Sequence, residues 1–201
     1  HGEIYARGGA NGGDGGQIET SGATLNTAGV RGSAASMGGK AGEWLFDPYD
    51  YTIDEAGAAD IVTLLDGGTS VTIDTTSAES HGLTGVDGGA GDITVASAIV
   101  MGAGEPAPIP TPGNLTLEAD GDILVNANID LAGALTLTSM GAVSINADIN
   151  TQGSLTVDTG TNQNINVAAD ITTAGDQSLN ANVSLDRATR TFTSTGGDIS
   201  I

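Results

Sequence analysis

Glu118-Ala119-Asp120-Gly121-Asp122 places three carboxylates at alternate positions about a glycine. Hard oxygen donors of this kind suit Ca²⁺, so Glu118, Asp120 and Asp122 are the candidate calcium ligands. Further ligands are not identifiable, the EF-hand pattern is absent, and a hydrated turn is the alternative. Acid–base catalysis on a polysaccharide needs carboxylates held at a defined separation. Asp120, Asp122, Asp148 and Asp170 fall instead at expected turns and strand ends, which makes them corner residues. A β-helix enzyme acting on acidic polysaccharide also wants bases to meet its substrate, and nothing between Lys40 and Arg187 is basic. No catalytic residue is assigned and no enzymatic activity is expected. His1 and His81 are far apart and no cysteine joins them, so a metal site or a nucleophilic triad has no support.

Tyr49 and Tyr51 flank Asp50 beside Pro48, with Trp44 just upstream. Exposed aromatic faces beside polar groups stack on sugar rings; the alternative is that these rings pack over a coil edge. Residues 101–112 carry four of the five prolines. Alternating proline removes ladder donors, so a protruding loop is expected there, and loops leaving a solenoid often bind ligands. Trp44, Tyr49, Tyr51, Pro108 and Pro110 are therefore the candidate ligand-binding residues. Asn114-Leu115-Thr116 and Asn182-Val183-Ser184 fit the N-x-S/T acceptor pattern, making Asn114 and Asn182 candidate glycosylation sites.

The elements that position these residues are read from a repeat. Gly113-Asn114-Leu115-Thr116-Leu117 returns as Gly133-Ala134-Leu135-Thr136-Leu137 and again as Gly153-Ser154-Leu155-Thr156-Val157. A second phrase travels with it: Ile123 to Ile129, Val143 to Ile149, and Ile165 to Ile171. A step of about 20 residues with short alternating segments is the signature of a solenoid. Apolar residues at i and i+2, with Thr, Val and Ile filling the segments, argue strands and exclude a helical repeat. Wrapping each unit once about an axis gives a parallel β-helix. Its core columns are Leu115/Leu135/Leu155, Leu117/Leu137/Val157, Ile123/Val143/Ile165, Val125/Ile145/Val167 and Ile129/Ile149/Ile171. Asn126 and Asn146 share one place in adjacent coils; pointing inward at a corner, their amides would bond along the stack.

Upstream the pattern is less regular. Residues 1–40 are Gly-rich and are read as tight coils with glycine corners. Their Gly run matches neither a calcium-binding nonapeptide array nor a phosphate-binding loop. Ile61, Leu64 and Leu65 have helical spacing and Gly67 is a natural stop, so one short helix interrupts the coils between residues 54 and 76. The whole chain, 1–201, reads as one all-β domain. It has Gly-rich coils and the aromatic stretch in 1–53, coils with the helix and Pro loop in 54–112, and regular coils in 113–201. About nine or ten coils are expected, stacked over a length on the order of 45 Å.

The formal net charge is −20, from 25 acids and 5 bases. Such a surface repels phosphate backbones and anionic lipids, so neither nucleic acid nor membrane is an expected partner. It also keeps a long β-rich object soluble and discourages edge pairing. No apolar run approaches a membrane span. No signal pattern opens the chain and the last phrase stops without a polar cap, so an upstream signal and further coils downstream are expected.

The run Gly15-Gly16-Gln17-Ile18-Glu19-Thr20-Ser21-Gly22, followed by Glu43-Trp44-Leu45-Phe46-Asp47-Pro48 and Tyr51-Thr52-Ile53, resembles a passage of filamentous-haemagglutinin-like adhesins. It is especially similar to the high-molecular-weight adhesins of the two-partner secretion pathway in Gram-negative bacteria. The motifs cover about a quarter of the chain; the remainder matches only in its 20-residue coils. The resemblance implies a right-handed β-helix in an exported fibrous adhesin, threaded through a dedicated outer-membrane transporter and held at the cell surface. Extracellular glycans or host and bacterial surface receptors would be its partners. The secretion domain's Asn-Pro-Asn type motif is absent, so the chain is expected to lie downstream of it. The adhesins it resembles can be N-glycosylated at sequons such as those of Asn114 and Asn182. A passive shaft module is the alternative to an adhesive segment, and a polysaccharide-processing enzyme is a third reading.

Overall fold

A strand that alternates Leu-Thr-Leu must bury one side and wet the other, and this chain solves the problem by stacking coils. The computed structural model describes residues 2–76, 89–102, 111–186 and 188–201. His1, His81, Pro108, Pro110 and most of the expected Pro loop lie outside these residues. Among the described residues three parallel sheets run along the molecule, one per face. The longest sheet holds eight strands: Gln17–Ser21, Glu43–Asp47, Ser70–Asp74, Leu115–Ala119, Leu135–Ser139, Leu155–Thr159, Gln177–Asn180 and Ile199–Ser200. The second face has six, from Tyr51–Ile53 to Asn182–Leu185, and the third has five, from Ile99–Val100 to Phe192–Ser194. The fold is a parallel β-helix.

All five expected columns are present in register. Leu115 pairs with Leu135 and Leu135 with Leu155, while Ile129, Ile149 and Ile171 stack on the third face. The columns continue through Trp44 and Val71 beneath Leu115, and through Phe46 and Ile73 beneath Leu117. These side chains are fully buried. Among the inward hydroxyls, those of Ser139 and Thr151 bond to turn carbonyls. Ser139 Oγ donates to Gly121 O at 2.6 Å, and Thr151 Oγ1 to Gly153 O at 2.9 Å.

The helix forms at Glu55–Asp66. Asp54 caps it, its Oδ1 accepting from Gly57 N at 2.9 Å, and Glu55 sits favourably in the first turn. Its buried face, Ile61, Leu64 and Leu65, packs against Ile99–Val100 at the edge of the third sheet. It replaces a third-face strand in its coil and covers an edge that would otherwise be open to pairing.

Among the described residues the coils number fewer than the nine or ten expected. Eight strands in the longest sheet span about 34 Å at roughly 4.8 Å per step. The Gly-rich segment supplies only Gln17–Ser21 to that sheet, plus the side pair Ile4–Tyr5 and Gly32–Ser33. Its glycines serve close backbone approach: a Cβ on Gly15 would lie 1.8 Å from Ala34 O. Instead of stacking as regular coils, the segment folds over the first coils. Gly29 N donates to Asp60 Oδ2 of the helix at 2.8 Å, and Tyr49 N to Ala23 O at 3.4 Å.

Candidate functional site

The outward residues of the longest sheet form columns as regular as the inward ones. Thr72, Thr116, Thr136, Thr156, Ser178 and Ser200 follow one another in register, one per strand. The hydroxyls of Thr116, Thr136 and Thr156 are half-buried and make no hydrogen bond to the described residues. Beside them runs a second column, Asp74, Glu118, Thr138, Asp158 and Asn180. Its upper end is braced: Asn180 Nδ2 donates to Asp158 Oδ1 and Ser178 Oγ to Asn180 Oδ1, each at 2.8 Å. At the lower end Thr72 Oγ1 donates to Glu43 Oε1. The result is a row of unengaged hydroxyls about 4.8 Å apart, each able to donate and accept, flanked by carboxylates and amides.

The Glu118 carboxyl is pushed above the usual carboxylate range. Partial burial raises it first, and the charges of Asp74 and Glu43 add to the effect. It lies on the outer sheet surface, whereas Asp120 is exposed on the turn that follows. Asp122 Oδ1 accepts from Ala142 N of the next coil at 2.8 Å. The three therefore do not converge as ligands, and among the described residues no group of three His, Cys, Asp or Glu is placed to hold a metal ion.

The corner acids have a structural task that local sequence hides. Asp92 N donates to Asp50 Oδ1 at 3.0 Å, Asp122 N to Asp92 Oδ1 at 2.7 Å, and Ala142 N to Asp122 Oδ1. A second corner carries Asp170 N on Asp148 Oδ1 and Thr191 N on Asp170 Oδ1. Each carboxylate ties its coil to the next through a backbone donor. Asn126 and Asn146 do bond along the stack, at 2.9 Å, but outside the coil. The inward placement is corrected: the apolar columns occupy the interior and the amides stay with water.

Trp44, Tyr49 and Tyr51 present no stacking face to solvent; all three are buried. Trp44 and Phe46 pack with centroids 5.8 Å apart, and Phe46 and Tyr51 stack at 6.4 Å. Trp44 Nε1 donates to Thr20 Oγ1 at 3.0 Å, and the Tyr51 hydroxyl bonds Thr27 Oγ1 at 2.6 Å. Burial raises the Tyr51 phenol above its ordinary value. Buried Ile18 continues the column beneath Trp44, so these rings lie within the core. Asn114 and Asn182 are exposed, and Asn114 Oδ1 accepts from Ala134 N at 2.9 Å.

The hydroxyl row was missed at the sequence level, although its signal is plain. In Leu-Thr-Leu, the middle residue must face out wherever its neighbours face in. Comparison with protein-family models, curated proteins and solved structures finds no match for this chain.

Proposed function

We propose that this chain is a segment of a secreted, surface-held adhesive fibre, and that the outer face of its longest sheet attaches to extracellular glycans. The observation that carries the reading is the in-register row of unengaged hydroxyls on Thr116, Thr136 and Thr156. An extended polysaccharide offers hydroxyls at regular intervals, and a matching row of free hydroxyls meets many of them at once. Each contact is weak, on the order of 1 kcal/mol, but contacts in one rigid array add through effective concentration. The motif resemblance to two-partner secretion adhesins supports export by an outer-membrane transporter and display at a Gram-negative cell surface. The role is attachment and not catalysis: corner carboxylates that hold backbone donors are poorly placed to act as acid and base.

The test is a triple variant, Thr116→Val, Thr136→Val and Thr156→Val, assayed on immobilised polysaccharides. Valine keeps the branched shape and strand preference while removing the hydroxyl. Retention should fall at least about tenfold, the loss of one to two hydrogen bonds, with the circular dichroism spectrum unchanged. Undiminished retention of the variant would sink the reading. A parent chain that binds no glycan at all would favour the passive shaft.

A further inference from the structure

One corner of the solenoid breaks the repeat in a way that creates a recess. The regular coil takes six residues from Leu137, its last apolar column residue on the long sheet, to Val143, its first on the second face. The next coil takes eight, from Val157 to Ile165, and the one after takes four, from Leu179 to Val183. A corner two residues long therefore overhangs a corner two residues short. Between them lies a cleft of about 290 Å³ whose polar lining is Thr159, Thr161, Asn162, Gln163, Asn180 and Asn182.

The overhang is a tight turn. Gln163 N donates to Gly160 O at 3.1 Å, and Asn162 holds φ 66°, the left-handed region that Asn tolerates better than most residues. Thr159 contributes to the lining, while its Oγ1 is turned into the protein, buried and with no hydrogen-bond partner among the described residues. The rim is primed. Asn180 is oriented by Asp158 and Ser178, while the side chains of Thr161, Asn162, Gln163 and Asn182 make no hydrogen bond to the described residues. A primary amide supplies donors and an acceptor side by side, the pattern that adjacent hydroxyls on a sugar ring require. No lining side chain is charged, and the net charge of −20 disfavours anions. The volume falls just below the range of ligand clefts, which run from about 300 Å³ upward, so it suits one ring and not a polymer.

We infer that this corner cleft is a binding subsite for a single neutral sugar unit, such as a chain end or branch. It adjoins the upper end of the long face at Asn180 but does not involve Thr116, Thr136 or Thr156, and it stands on its own geometry. The test titrates the full chain with neutral hexoses and N-acetylhexosamines, and with glucuronate as the charged control, following side-chain amide signals by NMR. Saturable shifts confined to Asn162, Gln163, Asn180 and Asn182 are expected for a neutral sugar, with millimolar affinity and weaker or no response to glucuronate. Asn162→Gly fits the left-handed turn and removes one amide, and Gln163→Ala removes another. Each should weaken binding about tenfold, the loss of one or two hydrogen bonds, with backbone signals elsewhere unmoved. The triple valine variant should bind the monosaccharide normally even where it loses polysaccharide, which separates this inference from the reading of the long face. No saturable shift with any neutral sugar, or undiminished binding by both corner variants, overturns it.

Discussion

Asp122 shows how one side chain can serve two neighbouring coils. Its backbone N–H donates to Asp92 below, and its carboxylate accepts from Ala142 above. Asp122→Ala should cost about 1 kcal/mol through the lost charge-assisted acceptor. Asp122→Asn, which keeps Oδ1, should cost clearly less; chemical denaturation of the two variants gives both values. Glu118 is the opposite case, a carboxylate that its surroundings penalise. Its folded-state affinity for a proton is raised by burial and by Asp74 and Glu43. The penalty is therefore present above its raised value and vanishes once pH falls below the ordinary glutamate range. Glu118→Gln should stabilise the chain at pH 7 by less than about 1 kcal/mol, because the group is largely solvent-screened. Thermal melts of parent and variant should then converge near pH 3.5, and a gap that persists there would contradict the account. Neither the stacking of these corners nor the crowding at Glu118 is visible locally, since each partner lies 20 or more residues away along the chain.

At the scale of elements, the helix is the departure that matters most. Strand Tyr51–Ile53 leads directly into it through Asp54, and the chain rejoins the long sheet at Ser70–Asp74. Leu65, fully buried against the sheets, should carry much of this contact. Leu65→Ala should destabilise by about 2–5 kcal/mol, with faster hydrogen exchange concentrated in Glu55–Asp66 and Ile99–Val100. Uniform exchange across all coils would mean the helix is not a separable cover. The helix was legible in advance because Ile61, Leu64 and Leu65 break the alternation and Gly67 stops it. The aromatic stretch was legible as a strand but not in its exposure. Tyr49 and Tyr51 stay open between sugar contact and packing over a coil edge in the sequence, because the Gly-rich segment that folds over them carries no periodic pattern to announce it.

At the scale of the molecule, the columns Leu115/Leu135/Leu155 and Ile129/Ile149/Ile171 were readable because a solenoid repeats its burial pattern in sequence. The coil number was not, because glycines in residues 1–40 mark turns without telling which backbone they approach. The surface follows from the same repetition. A chain that must place Leu inward at positions 115, 135 and 155 places Thr116, Thr136 and Thr156 outward in line. The most direct test of the attachment reading is the dependence of affinity on oligosaccharide length. For a neutral glycan that binds the long face, affinity should climb with each added unit. It should level off once the oligosaccharide matches the sheet, about 34 Å at roughly 4.8 Å per strand. Affinity independent of length, or a climb that survives in the triple valine variant, would contradict a binding row on this face.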